Sequence, residues 1–216
     1  MSERSHFYFN YFLKTIQKNK IKGMLAKEES RRLFILSHYV NLNNKNPIIV
    51  EIGTNCGLST CFLAKNGGIV YTIDPHPIFS EEEVKGSYYL QKVYYELSDK
   101  MWTYKKAIEN FEKCNLKNIK LITGYSFDVA NQIQDDISLI FIDGLHDKEN
   151  VLQDLKYYYE KVKTGGIIAF HDWGRFYDEI YKDAFGVTEA LHEFLGVNYF
   201  KKLCVEHDNS VAWFIK

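Results

Sequence analysis

The chain has 216 residues, 46% hydrophobic and 25% charged, the composition of a globular domain rather than of a disordered chain. Its net charge of −1 offers no general attraction to nucleic acid or to an anionic membrane, so neither is expected as a partner. The four cysteines, Cys56, Cys61, Cys114 and Cys204, form no C-x-x-C pair, and no apolar run approaches the ~20 residues a membrane span needs. The first residues also lack the basic start and apolar stretch of a secretory leader, and a cytoplasmic protein with reduced thiols is predicted.

Residues 6 to about 41 carry helical periodicity, with Phe9, Phe12, Leu13 and Ile16 in one stretch and Leu33, Leu36 and Val40 in another. Two helices are therefore expected in an N-terminal extension over residues 1–46, ahead of a domain over 47–216. Between Lys14 and Arg32 seven Lys/Arg face only Glu28 and Glu29, a pattern read as a solvated helix face in preference to a site for an acidic substrate.

From Pro47 onward strands and helices alternate, the signal of a parallel sheet covered on both faces. Strands are predicted at 48–52, 69–73, 119–122, 137–142, 167–171, 199–205 and 210–215, and helices near 56–65, 98–114, 126–133, 147–161 and 184–195. The last two strands are separated by a short polar connection that suits a hairpin. The fold class is thus a Rossmann-like, doubly wound α/β fold with a seven-stranded, mainly parallel sheet and a C-terminal antiparallel hairpin. Residues 75–97, with two prolines, the acidic run Glu81 to Glu83 and four tyrosines, exceed an ordinary loop. That insert suits a lid over a substrate and equally a contact in a homo-oligomer.

The run from Ile48 to Asp74 is the most telling part of the chain. Its apolar, β-branched start is that of a buried parallel strand; Gly53 and Gly57 then open a turn into a helix, and a second strand ends in Asp74. A carboxylate in that place accepts hydrogen bonds from the vicinal hydroxyls of a ribose. A dinucleotide fingerprint would need further glycines where Asn55 and Leu58 stand, and a phosphate loop would need a Lys where Leu58 follows Gly57. Neither a dinucleotide nor a nucleoside triphosphate fits. What remains is acid-x-Gly-x-x-x-Gly-x-Ser, in Glu51, Gly53, Gly57 and Ser59.

Ligands of open parallel sheets lie beyond the carboxyl ends of the strands. There the chain places Gly124-Tyr125-Ser126, then Asp143-Gly144-Leu145-His146-Asp147, then His171-Asp172-Trp173. Ser126 has two readings, as a helix cap and as a partner for an adenine. Asp143 and Asp172, at adjacent strand ends roughly 5 Å apart, would repel one another, and a divalent cation, Mg²⁺ in preference to zinc, relieves that repulsion. His146, three residues beyond Asp143, is the candidate general base. Asp143 has a second reading, as acceptor for the amino group of a cofactor's methionine moiety. Asp147 and Asp172 have one as helix N-caps, and His171 reads as a structural histidine.

In these motifs, and in the string FIDGLHDKENVLQDL followed by GGIIAFHDW, residues 47 to 172 resemble the class I S-adenosyl-L-methionine-dependent methyltransferases. The resemblance is to their metal-assisted small-molecule and sugar O-methyltransferases. It implies that Glu51, Gly53, Asn55, Gly57, Ser59, Asp74, Ser126 and Asp143 contact the cofactor. It also implies that Asp143 and Asp172 hold Mg²⁺ and that His146 takes the proton of the acceptor hydroxyl, borne by a small molecule or sugar. Trp173 stands where catechol-type relatives place Asn, so a third metal ligand has to come from elsewhere. Two other functions compete: an NAD-linked oxidoreductase, disfavoured by the absent glycine, and a non-catalytic binding protein that keeps the fold.

Overall fold

The computed structural model describes residues 3–76, 104–174, 177–178, 183–184, 186–196, 201–205 and 210–216. Helices α1 (Glu3–Lys18) and α2 (Lys27–Asn43) precede β1 (Ile48–Ile52), α3 (Leu58–Ala64) and β2 (Ile69–Asp74). After them come α4 (Tyr104–Lys113), β3 (Ile119–Thr123), α5 (Ser126–Val129), β4 (Ile137–Ile142), α6 (Lys148–Tyr158) and β5 (Val162–Phe170). The two-residue strands β6 (Tyr177–Asp178) and β7 (Asp183–Ala184), α7 (Val187–Leu195) and β8 (Ala212–Ile215) complete the order.

Six strands form one sheet in the order β3-β2-β1-β4-β5-β8, with β8 antiparallel to β5 and every other pairing parallel. The chain reverses its direction of travel across the sheet between β1 and β4, which opens a crevice at their carboxyl ends. Alternate residues serve opposite faces. Ile49, Leu139 and Phe141 join the core beneath α1 to α4, while Val50, Ile52, Ile140 and Ile142 join the core beneath α5 to α7. Burial on both faces is why these strands read as continuous apolar runs.

The N-terminal helices share the first of these cores. Phe9 and Phe12 of α1, buried at 0% and 1% exposure, set their rings 5.8 and 5.4 Å from that of Phe62 on α3. Leu33, Phe34, Leu36 and Val40 form the buried stripe of α2, and the Ser37 hydroxyl donates to the Leu63 carbonyl at 2.5 Å. Most of the basic run is a solvated face: Lys14, Lys18, Lys20, Lys22 and Lys27 are exposed and Arg31 pairs with Glu28 at 2.7 Å, whereas Arg32 is buried with its guanidinium over Trp213.

The elements depart from the expected ones in the strand count and in the start of β5, and one expected segment lies outside the described residues. The main sheet has six strands among the described residues rather than seven. Residues 201–205 form a turn and a single antiparallel bridge from Cys204 to Trp213, and 197–200 and 206–209, which carry the rest of the expected hairpin, lie outside the described residues. Strand β5 starts at Val162 rather than 167, because a register shift against β4 lets it run through Gly165 and Gly166, ahead of the expected start. A side chain at Gly166 would meet the Ile137 carbonyl oxygen at 2.9 Å. The insert over 75–97 falls outside the described residues beyond His76. Among the described residues no helix is long and apolar enough to cross a membrane.

Candidate active site

The turn between β1 and α3 is built by close approach. Gly53 has φ 97°, and a Cβ there would lie 2.0 Å from the Asp143 carbonyl oxygen, so only glycine lets β1 and β4 end side by side. Gly57 has φ 77°, and its would-be Cβ meets the Phe111 ring at 2.4 Å. Helix α4 thus packs directly on the turn, and Asn110 fastens it by donating to the Cys56 carbonyl at 2.8 Å. Asn55, at φ 48°, completes the left-handed bend.

Glu51 is fully buried. Its Oε2 accepts from Thr60 of α3 and Thr72 of β2, both at 2.5 Å, while its Oε1 is buried with no hydrogen-bond partner. Burial pushes this carboxyl up to about 7, against the lowering effect of hydrogen bonds from Ser59, Thr60 and Thr72, and the nearby charge of Asp143 adds to the rise. Asp74, at the end of β2, accepts the Asn55 N–H through Oδ2 at 2.8 Å and the His76 N–H through Oδ1 at 2.7 Å. The carboxylate is thereby aimed into the crevice beside the turn, with lone pairs left on each oxygen. The Oδ1 of Asn55 and the Nε2 of His76 are also buried without a hydrogen-bond partner.

At the neighbouring strand ends stands a second group. His146 Nε2 lies 3.3 Å from Asp143 Oδ1, and its Nδ1 lies 3.0 Å from Asp172 Oδ2. His171 Nδ1 lies 3.0 Å from the same Asp143 oxygen and 3.3 Å from the same Asp172 oxygen. Its Nε2 faces Glu29 Oε2 of α2 at 3.3 Å. Burial opposes charge on every member, yet the mutual contacts win. Asp143 and Asp172 are held below the usual carboxylate range by the two imidazoles, His146 is raised to about 9 by the two carboxylates, and His171 is raised well above its ordinary value. Between Asp143 and Asp172, where repulsion was expected, the structure sets the rings of His146 and His171.

The turn brings together Glu51, Gly53, Asn55, Gly57, Ser59 and Asp74, and the second group joins it where Gly53 touches Asp143. Ser126 stands apart from its expected capping role. It is the first residue of α5 rather than the cap, and its hydroxyl donates to Asp154 of α6. Asp147 does cap α6, accepting the Asn150 N–H at 3.1 Å. Asp172 is the N-cap of no helix among the described residues: it sits at φ 55° ahead of a turn at Trp173 and Gly174.

Two residues of the site escaped the sequence reading. Glu29 sits four residues before Leu33, on the apolar stripe of α2, and a carboxylate in that phase is the signal that it turns inward. His171 stands at a strand end with the candidate groups but reads as structural, because a histidine on the loop after a strand is commonly a hydrogen-bonded structural group. Its neighbour Asp172 and the adjacency of β4 and β5 are what mark it.

The order of the sheet, the glycine turn over an orphaned acid, and the acid closing β2 define a Rossmann-like methyltransferase. Residues 50–173 match a methyltransferase domain family, and the chain belongs to it, within the class I S-adenosylmethionine-dependent methyltransferases. An uncharacterized protein of Acanthamoeba polyphaga mimivirus is 31% identical over 162 residues, 70% of this chain; the chain spans 63% of that relative's length. An O-methyltransferase of Bacillus cereus, solved with S-adenosylhomocysteine, superposes with a TM-score of 0.59 at 17% identity, covering 100% of this chain and 92% of that one. A Streptomyces achromogenes O-methyltransferase of tomaymycin synthesis, solved with S-adenosylmethionine, gives 0.57 at 11% identity, covering 100% and 91%. At those identities the two structures speak for the fold.

Proposed function

We propose that the chain transfers the methyl group of S-adenosylmethionine to a hydroxyl of a small molecule or sugar. The observation that carries this reading is the place of His146, held 3.3 and 3.0 Å from Asp143 and Asp172 at the mouth of the crevice that opens beside Gly53. The solved O-methyltransferases of the same fold support it.

The cofactor side of the crevice suits S-adenosylmethionine. The buried, unpartnered Oε1 of Glu51 and Oδ1 of Asn55 are acceptors for an ammonium and for N–H or hydroxyl donors, and Asp74 is the acceptor for ribose hydroxyls. When bound, the cofactor supplies an activated methyl on a sulfonium, so little covalent chemistry falls to the protein. Gly53 and Gly57 let the turn close against Asp143 and Phe111, Asp143 would bound the space between cofactor and acceptor, and His146 would take the proton of the acceptor hydroxyl as that oxygen gains the methyl group given up by the sulfonium. Ser126, tied to Asp154, would support the end of the crevice beside β3.

A metal also fits. Ligand atoms of Asp143, His146 and His171 lie within 4.8 Å of one another, with Asp172 in contact with both histidines. Magnesium is the ion two carboxylates alone would favour, whereas a histidine nitrogen among them suits a first-row transition ion. Such an ion would lower the pKa of a bound hydroxyl and orient it. Calorimetry with S-adenosylhomocysteine tests the cofactor reading: wild type binds, and Asp74→Ala weakens binding about 10–100-fold, the worth of a charged hydrogen-bond pair. Undiminished binding by that variant removes the ribose assignment.

A further inference from the structure

The N-terminal helix α2 reaches into the polar cluster through one side chain. Glu29 is 5% exposed, and each of its oxygens is engaged: Oε1 accepts from the Ser210 hydroxyl at 2.6 Å, and Oε2 accepts from the Ala26 N–H at 2.7 Å while facing His171 Nε2 at 3.3 Å. Three distant stretches of chain, the start of α2, the end of β5 and the entry to β8, thus meet at one carboxylate. Ala26 has no capping side chain, so Glu29 supplies the backbone half of a capping box and is rigidly placed.

His171 is 7% exposed, and both of its ring nitrogens are buried. The carboxylates around them stand at ion-pair distance without the alignment of a hydrogen bond. Its Nε2 is turned to Glu29, which leaves Nδ1 pointing between Asp143 and Asp172. A carboxylate behind one imidazole nitrogen, with two carboxylates in front of the other, is the arrangement in which an outer acid fixes the tautomer of a metal-ligating histidine and raises its basicity. His146, more exposed and at the mouth of the crevice, is left for the acceptor proton.

We infer that His171 Nδ1 is the third protein ligand, beside Asp143 and Asp172, of a divalent first-row transition ion, and that Glu29 of α2 is the positioning carboxylate behind it. The inference rests on the methyltransferase reading only for the place of the site, and it makes the N-terminal helix part of the site. A nitrogen ligand predicts preference for Mn²⁺, Fe²⁺ or Co²⁺ over Mg²⁺.

Co²⁺ is the probe, because its visible absorption reports the ligand field without any methyl acceptor. Metal-stripped wild-type protein is titrated with Co²⁺ while S-adenosylhomocysteine affinity is measured in parallel. One Co²⁺ per chain is expected, not displaced by a large excess of Mg²⁺. Glu29→Gln should weaken Co²⁺ about 10–100-fold, Glu29→Asp should recover part of the loss, and S-adenosylhomocysteine affinity should stay at the wild-type value in both. Ser210→Ala, which frees one oxygen of Glu29 and leaves the helix intact, should weaken Co²⁺ about 3-fold and covers the case in which Glu29→Gln does not fold. Wild-type Co²⁺ affinity in a folded Glu29→Gln, or in Ser210→Ala where Glu29→Gln does not fold, overturns the role of Glu29. Absence of Co²⁺ binding in wild type that still takes S-adenosylhomocysteine overturns the metal site and leaves the methyltransferase reading standing. Loss of both ligands in wild type overturns the two together.

Discussion

The Nδ1 of His146 and the Oδ2 of Asp172 meet at 3.0 Å across the carboxyl ends of two neighbouring strands, and the other nitrogen of the same ring faces Asp143. Burial alone would lower this imidazole, but the hydrogen bonds and charges of Asp143 and Asp172 raise it to about 9. At neutral pH the ring is then largely protonated, and only its neutral form can take a proton from a hydroxyl. In metal-free protein the nitrogen-15 resonances of His146 should titrate near pH 9, and Asp172→Asn should bring that midpoint down toward the ordinary range. With a hydroxyl acceptor, turnover should climb about tenfold per pH unit below 9, and His146→Gln should abolish the climb and cost about 10²–10⁴-fold in rate. A His146 midpoint near ~6.5 in the wild type would sink the argument.

Glu51 links the fold to the cofactor through one proton. Its folded value of about 7 stands above the 4.5 of a free glutamate, so the folded chain holds a proton that the unfolded chain releases across that window. The stability from this group is fully present below pH 4.5 and is lost as pH rises through about 7, at most about 3 kcal/mol. Glu51→Gln should flatten that stretch of the curve of stability against pH. If Oε1 receives the cofactor's ammonium, binding must ionise the acid. Calorimetry at pH 6 in two buffers of different ionisation enthalpy should then show proton release in wild type and none in Glu51→Gln.

Much of this site could be read before any coordinates. The glycine turn was legible because Gly53 and Gly57 have no substitute where a carbonyl and a phenyl ring come so close, and Asp74 because it closes a strand. What periodicity leaves open is which distant segment meets which. Glu29 looks like half of a local charge excess until β5 and β8 bring His171 and Ser210 against it. The length of β5 was hidden for a similar reason, since two glycines within a bulged strand carry the same letters as two in a turn.

Ser126 and Asp74 separate support from contact. The Ser126 hydroxyl is spent on Asp154, whose own carboxyl is raised to about 7 by burial despite that bond, and Tyr158 donates to the Ser126 carbonyl at 2.8 Å. Ser126→Ala leaves a buried acid short of a partner and should cost about 1–3 kcal/mol in a denaturation experiment while changing S-adenosylhomocysteine affinity less than threefold. A loss of affinity on the scale of Asp74→Ala, with stability unchanged, would instead place the hydroxyl on the cofactor.

Gly53 and Gly174 make a matched pair for testing how tightly the two halves of the site are joined. Both have a left-handed backbone, φ 97° and 80°, so alanine strains either one. At Gly174 nothing among the described residues lies within 4 Å of the added Cβ, and the cost is the dihedral alone, about 1 kcal/mol. At Gly53 the Cβ would overlap the Asp143 carbonyl, which accepts no displacement without moving β4 and the carboxylate it carries. Gly53→Ala should therefore cost about 3 kcal/mol or more, a drop of roughly 6–12 °C in Tm for a chain of this size. It should weaken S-adenosylhomocysteine and Co²⁺ together, because the same backbone atom separates their sites. Equal melting losses for the two variants would show that the crowding at Gly53 relaxes freely, and that the cofactor turn and the Asp143 strand end are not mechanically coupled.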